Sequence, residues 1–235
     1  MADDRGSINR AADRSARLGG AFLLLTALVT AVMVYARVAS DADQQTLAGS
    51  LLAISENRGM YGLFGASRLL SGVTLILGGW FLLRTWIIRD RWATPWVPYL
   101  FVGSGACTAV SGACAILIGI QSDGAVAGSV AGIAAADNLR WIIGKVGFSA
   151  AGVALMIAAR FQWGVGGTLR KVAPVSALLG FAMQFIWLDS ATVAHPVIGS
   201  LFFIWLLAIG TMLATGQVEK HSVKRYSAEM PAAGA

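Results

Sequence analysis

The sequence predicts an all-α polytopic membrane protein, a six-transmembrane-helix bundle with both chain ends on the cytoplasmic side. Three observations carry this. Of 235 residues, 57% are hydrophobic and only 13% charged, and the mean hydropathy is +0.69. A soluble domain carries about a quarter of its residues charged, so this composition matches lipid as a solvent. The apolar residues also gather into six runs of about 20 residues, the length that crosses a bilayer core as a helix. Finally, the basic residues concentrate in alternate connections between those runs, as the positive-inside rule requires.

Residues 1–17 form a polar arm with Arg5, Arg10, Arg14 and Arg17, expected to be disordered or to lie at the interface. The first run, 18–39, has the basic flank of a secretory signal. Its apolar stretch is longer than a signal's core, so it reads as a retained span. The later runs are about 61–83, 97–120, 140–159, 172–190 and 197–216, all within one domain over 18–216, followed by a cytoplasmic tail over 217–235. Pro95 and Pro98 bracket the start of the third span, Pro174 is expected in the first turn of the fifth, and Pro196 opens the sixth. Trp80, Trp86, Trp92, Trp96 and Trp163 fall near one interface, with Trp141 and Trp187 near the other.

The arm, the 84–91 and 160–171 connections and the tail together hold 13 of the 18 Lys and Arg residues. Four separate segments therefore point the same side inward, toward the cytoplasm. The outer connections differ from these. Residues 43–59 place Leu47, Leu51 and Ile54 at helical spacing with Gly59 as a C-cap, which predicts a short amphipathic helix on the outer surface. Residues 122–138 are rich in Gly and Ala, and they leave the fourth span two possible starts, near 140 or near 125. The earlier start would take Asp137 and Arg140 into the membrane.

Several function classes are excluded by pattern. The net charge of +6 is dispersed between apolar runs rather than gathered in a stripe, so lipid head groups and not nucleic acid are the partners of that charge. Cys107 and Cys114 lie about 10 Å apart along one helix, too far for a disulfide. No His/Cys/Asp/Glu cluster has metal-ligand spacing, and no Gly-rich loop carries the Lys and Ser/Thr of a phosphate cradle. His195 and His221 are the only histidines, and His221 sits in the tail, so two imidazoles cannot bracket a haem. Neither a cofactor nor a metal is expected.

Once the inner basic residues are set aside, Arg37, Arg58, Arg68, Arg140 and Lys145 remain, all in the outer half. Six of the 12 acidic residues share that level, among them Asp137 and Asp189, and Gln184 lies one to two turns below Asp189. Ionisable groups at membrane depth usually face a bundle interior, a partner or water. Arg68 shares a helical face with Gly65, Gly72 and Gly79, Lys145 with Ser149 and Gly152, and Gln184 with Gly180. Small residues at that spacing let helices approach closely. The expectation is therefore a non-enzymatic protein that binds or passes a small or anionic ligand through an outward-facing polar pocket, or serves as an accessory subunit or homo-oligomer in the membrane. The candidate ligand-binding residues are Arg68, Lys145, Gln184, Asp189, Asp137 and Arg140. The plainer alternative is that Arg68 and Lys145 snorkel to the outer interface and pair with loop carboxylates.

Two resemblances accompany this reading. Gly147, Phe148, Ser149 and Ala150 on the fourth span, with Ala194 and His195 at the start of the sixth, resemble the Gly-x-Ser and Ala-His motifs of rhomboid intramembrane proteases. That resemblance implies a Ser149–His195 dyad. The chain departs from it in lacking the His and Asn that rhomboids carry on the second span. The whole pattern also resembles six-span bacterial membrane families of unknown function: a basic arm, a first span, and an outer segment ending in Ser55, Glu56, Asn57, Arg58 and Gly59 before the second span. This second resemblance implies a bacterial inner-membrane location and no particular activity.

Overall fold

The computed structural model describes residues 2–44, 46–122, 130–188 and 194–229, with side chains over 14–44, 46–122, 131–188 and 197–224. Every regular element among them is helical: α1 Ala2–Ala39, α2 Leu47–Glu56, α3 Arg58–Leu83, α4 Trp86–Arg89, α5 Trp96–Gln121, α6 Val130–Val165, α7 Gly167–Ala182, α8 Ala194–Ala214 and α9 Gln217–Glu229. A 3-10 turn, Met183–Trp187, extends α7. Six of these helices are long and apolar enough to cross a membrane, so the chain is a multi-pass membrane protein with an all-α bundle fold.

The spans pack as a ring in the order α8, α1, α3, α5, α6, α7. The α3–α5 seam shows why this order holds. A Cβ at Gly72 would lie 2.5 Å from the Gly105 carbonyl oxygen, and one at Gly105 would lie 2.6 Å from that of Gly72. Only a pair of glycines permits this backbone approach, the usual device of helix packing in lipid. Gly152 and Gly180 do the same where α6 crosses α7, with a Cβ at Gly152 only 2.7 Å from the Gly180 oxygen. Inside the ring, Leu23, Phe101, Leu155, Met183, Trp205 and Leu206 form the main core. A second, smaller core of Ala36, Ile54, Tyr61, Phe64, Ala115, Ile118 and Ile133 sits at the opposite end from the basic connections.

Local chemistry sets the boundaries. Ser40 Oγ donates to the Arg37 carbonyl at 2.7 Å as α1 ends, and Asp41 turns the chain with φ 48°. Thr46 caps α2, its Oγ1 accepting from Gly49 N at 3.1 Å. Gly166 and Gly167, with φ 83° and 59°, allow the reversal from α6 to α7.

Four local expectations differ from what is observed. The arm over 1–17 is helical from Ala2 and continuous with the first span. The outer amphipathic helix is present, but it ends on Asn57, and Gly59 lies inside α3. The helix that carries the fourth span, α6, starts at Val130 rather than near 140, so Asp137 and Arg140 are part of it. Pro174 lies in the interior of α7, whose first residue is Gly167. Pro174 there leaves one carbonyl of the preceding turn without its N–H.

Candidate functional site

The charged groups at the end opposite the basic connections, the outer end by the positive-inside rule, converge through aromatic rings. Arg37, in the last turn of α1, places its Cζ 5.7 Å from the Phe64 ring centroid and 5.1 Å from that of Trp141. Arg68 approaches the same Phe64 ring, with Cζ at 5.8 Å, and Arg140 flanks Trp141 at 5.1 Å. The result is a ladder across α3, α1 and α6 in which guanidinium and ring alternate: Arg68, Phe64, Arg37, Trp141, Arg140. The negative ring faces attract each cation and let three like charges share one small region.

Two rungs have counter-ions. Arg37 donates from Nε and Nη2 to the two carboxylate oxygens of Asp43, at 2.8 and 3.0 Å. Arg140 donates from Nε and Nη2 to Asp137 Oδ1 alone, at 3.0 and 2.7 Å. The spacing of three residues on α6 makes that second pair local. Arg140 is only 7% exposed, and its carbonyl accepts from Ser111 Oγ of α5 at 2.8 Å.

Among the described residues Arg68 has no counter-ion. Its Nε is buried without a hydrogen-bond partner, although the residue as a whole keeps partial exposure. The charged groups acting on it are chiefly Arg37 and Arg140, which repel it, with Asp43 attracting. Its Nη2 lies against Gly144 of α6, where an added Cβ would come within 2.6 Å, so glycine makes the space for the guanidinium. On the same face of α3, the Tyr61 hydroxyl is also buried without a partner. The Tyr61 ring packs 5.6 Å from Phe64, the ring that Arg68 and Arg37 share. A buried donor left unpaired is costly, and this face carries two of them.

Among the sequence-predicted residues, the structure brings Arg68, Arg140 and Asp137 together. Lys145, half-buried one turn below Trp141 on α6, takes no part in the ladder, and no ion pair or hydrogen bond holds it among the described residues. Gln184 belongs to a different contact. Its Oε1 accepts from Ser149 Oγ, and its Nε2 donates to the Ser149 and Gly180 carbonyls at 3.2 and 3.0 Å. Asp189 lies outside the described residues, as does the side chain of His195, so only the Ser149 half of that pair is placed. Arg37, Tyr61, Phe64, Ser111 and Trp141 were not singled out as site residues from the sequence.

Neutral polar contacts also join the helices. Thr26 and Thr74 pair their hydroxyls at 2.9 Å, and Thr30 and Ser71 theirs at 2.8 Å, tying α1 to α3. Toward the basic end, Trp205 Nε1 donates to Ser176 Oγ at 2.8 Å, and Ser176 donates to Gln162 Oε1 at 2.7 Å, joining α8, α7 and α6. Among the described residues no group of His, Cys, Asp and Glu is placed to hold a metal ion. Comparison with protein-family models, with curated proteins and with solved structures finds no match for this chain.

Proposed function

We propose that this is a multi-pass protein of the bacterial inner membrane that binds an anionic ligand, without chemical conversion, at its outward-facing arginine ladder. The observation that carries the reading is Arg68. It stands among two other guanidiniums with its Nε buried and unpaired. A cation in that position is stabilised by an anion and destabilised by its neighbours, so the arrangement favours the occupied state. The outward orientation rests on the inner location of the basic connections. Arg37 and Asp43 form the rim, with side chains 25% and 53% exposed, and Arg140 and Asp137 form the wall, at 9% and 27%.

Equilibrium dialysis of the purified protein against radiolabelled inorganic phosphate tests this. Wild type and Lys145→Met are expected to retain bound phosphate, whereas Arg68→Met loses it while eluting as a folded species. Equal retention by wild type and Arg68→Met would remove the reading.

A further inference from the structure

Resting on that reading, we propose that the ladder seats a singly charged oxyanion, with the Tyr61 hydroxyl, on the same face of α3 as Arg68, as its neutral donor. Charge balance comes first. Within the ladder three guanidiniums, Arg37, Arg68 and Arg140, face two carboxylates, Asp43 and Asp137. Within the ladder, counted over the described residues, one positive charge is left over. Arg68 lies ten residues into α3 from Arg58, about 15 Å along the axis, where water screens poorly and residual charge is expensive. One negative charge neutralises the site. A divalent ion would reverse its sign and leave the excess buried.

The donors come second. Tyr61 and Arg68 flank Phe64 at minus three and plus four on α3, so all three side chains lie on one face of that helix. Both have a buried polar atom without a partner, Tyr61 Oη and Arg68 Nε. A charged donor and an uncharged one together suit an oxyanion with two acceptor oxygens, and the phenol adds a hydrogen bond without adding charge. A phosphodiester has this chemistry, whether in a lipid head group of the outer leaflet or in a soluble compound.

The test uses full-length protein in uncharged maltoside micelles, titrated by calorimetry with dimethyl phosphate and separately with sulfate at neutral pH. Dimethyl phosphate is expected to bind at least about tenfold more tightly than sulfate. Tyr61→Phe, which keeps the ring and its packing, is expected to weaken dimethyl phosphate about tenfold with an unchanged circular dichroism spectrum, since a hydrogen bond to a charged group is lost. Competition by phosphatidylglycerol added to the micelles assigns the site to lipid, and its absence assigns it to a soluble ligand; either result is consistent with a singly charged ligand. Sulfate binding as tightly as dimethyl phosphate, or Tyr61→Phe binding like wild type, overturns the inference and leaves the anion reading standing. Wild type binding neither ion overturns both.

Discussion

The two ends of the bundle use polar groups in opposite ways. Toward the basic end, Gln162, Ser176 and Trp205 are neutral, buried at 4%, 0% and 4% exposure, and joined donor to acceptor across three helices. At the outer end the groups are charged, two carboxylates serve three arginines, and Arg68 Nε and Tyr61 Oη remain unpaired. A closed neutral set holds helices together, because each bond satisfies a group that lipid could not. An open charged set adds little to stability and leaves donors ready for something else.

Substitutions should divide along the same line. The largest effect belongs to neither set but to the seam that positions both. Gly72→Leu cannot be accommodated against the Gly105 carbonyl, so the α3–α5 crossing opens. The expected outcome is loss of a monodisperse peak on size exclusion after detergent extraction. Next comes Ser176→Ala, which leaves both Gln162 and Trp205 without a bond that the structure shows them making. A destabilisation of about 1–3 kcal/mol is expected in a denaturant titration, with anion binding intact. Smaller still is Arg68→Met. Replacing an unpaired buried cation by an apolar chain of similar length is expected to leave stability unchanged or raise it by about 1 kcal/mol, while anion binding is lost. The smallest effect is at the rim. Asp43→Asn removes one partner of a partly exposed pair and is expected to cost under about 1 kcal/mol, with the change shrinking as salt is raised.

The sequence makes the fold legible for a simple reason. Apolar runs and the side on which Lys and Arg collect are one-dimensional properties, so six spans and their direction can be read without knowing any contact. Where a span starts is harder. The region before 140 is rich in Ala and Gly, so hydropathy does not separate the bilayer-crossing part from its extension. At 36 residues α6 is about 54 Å long, well beyond a bilayer core of about 30 Å. The depth of Asp137 and Arg140 depended on that boundary.

The site was legible in part. Arg68 stood out because arginine at that depth is rare and because its face carries glycines. Tyr61 and Phe64 lie on the same side, nearly two turns and about one turn before it, and this spacing was available to sequence reasoning. What spacing cannot give is which helix faces which. The ladder needs Arg37 from α1 to meet both Phe64 of α3 and Trp141 of α6, and that depends on the ring order of the helices. Gln184 shares that level with Arg68 but bonds to Ser149 and Gly180 instead, so level alone grouped residues that different helix contacts separate.

The central claim is that the unpaired donors of the outer end are completed by an anion. Thermal unfolding of wild type and Arg68→Met in maltoside, with and without dimethyl phosphate, tests it most directly, since a ligand that binds only the folded state raises the melting temperature. The account predicts that wild type starts no higher than Arg68→Met without the ion and rises when it is added, while the variant does not move. A variant that melts well below wild type without the ion, with both proteins responding equally to it, would contradict the claim and make Arg68 a structural residue.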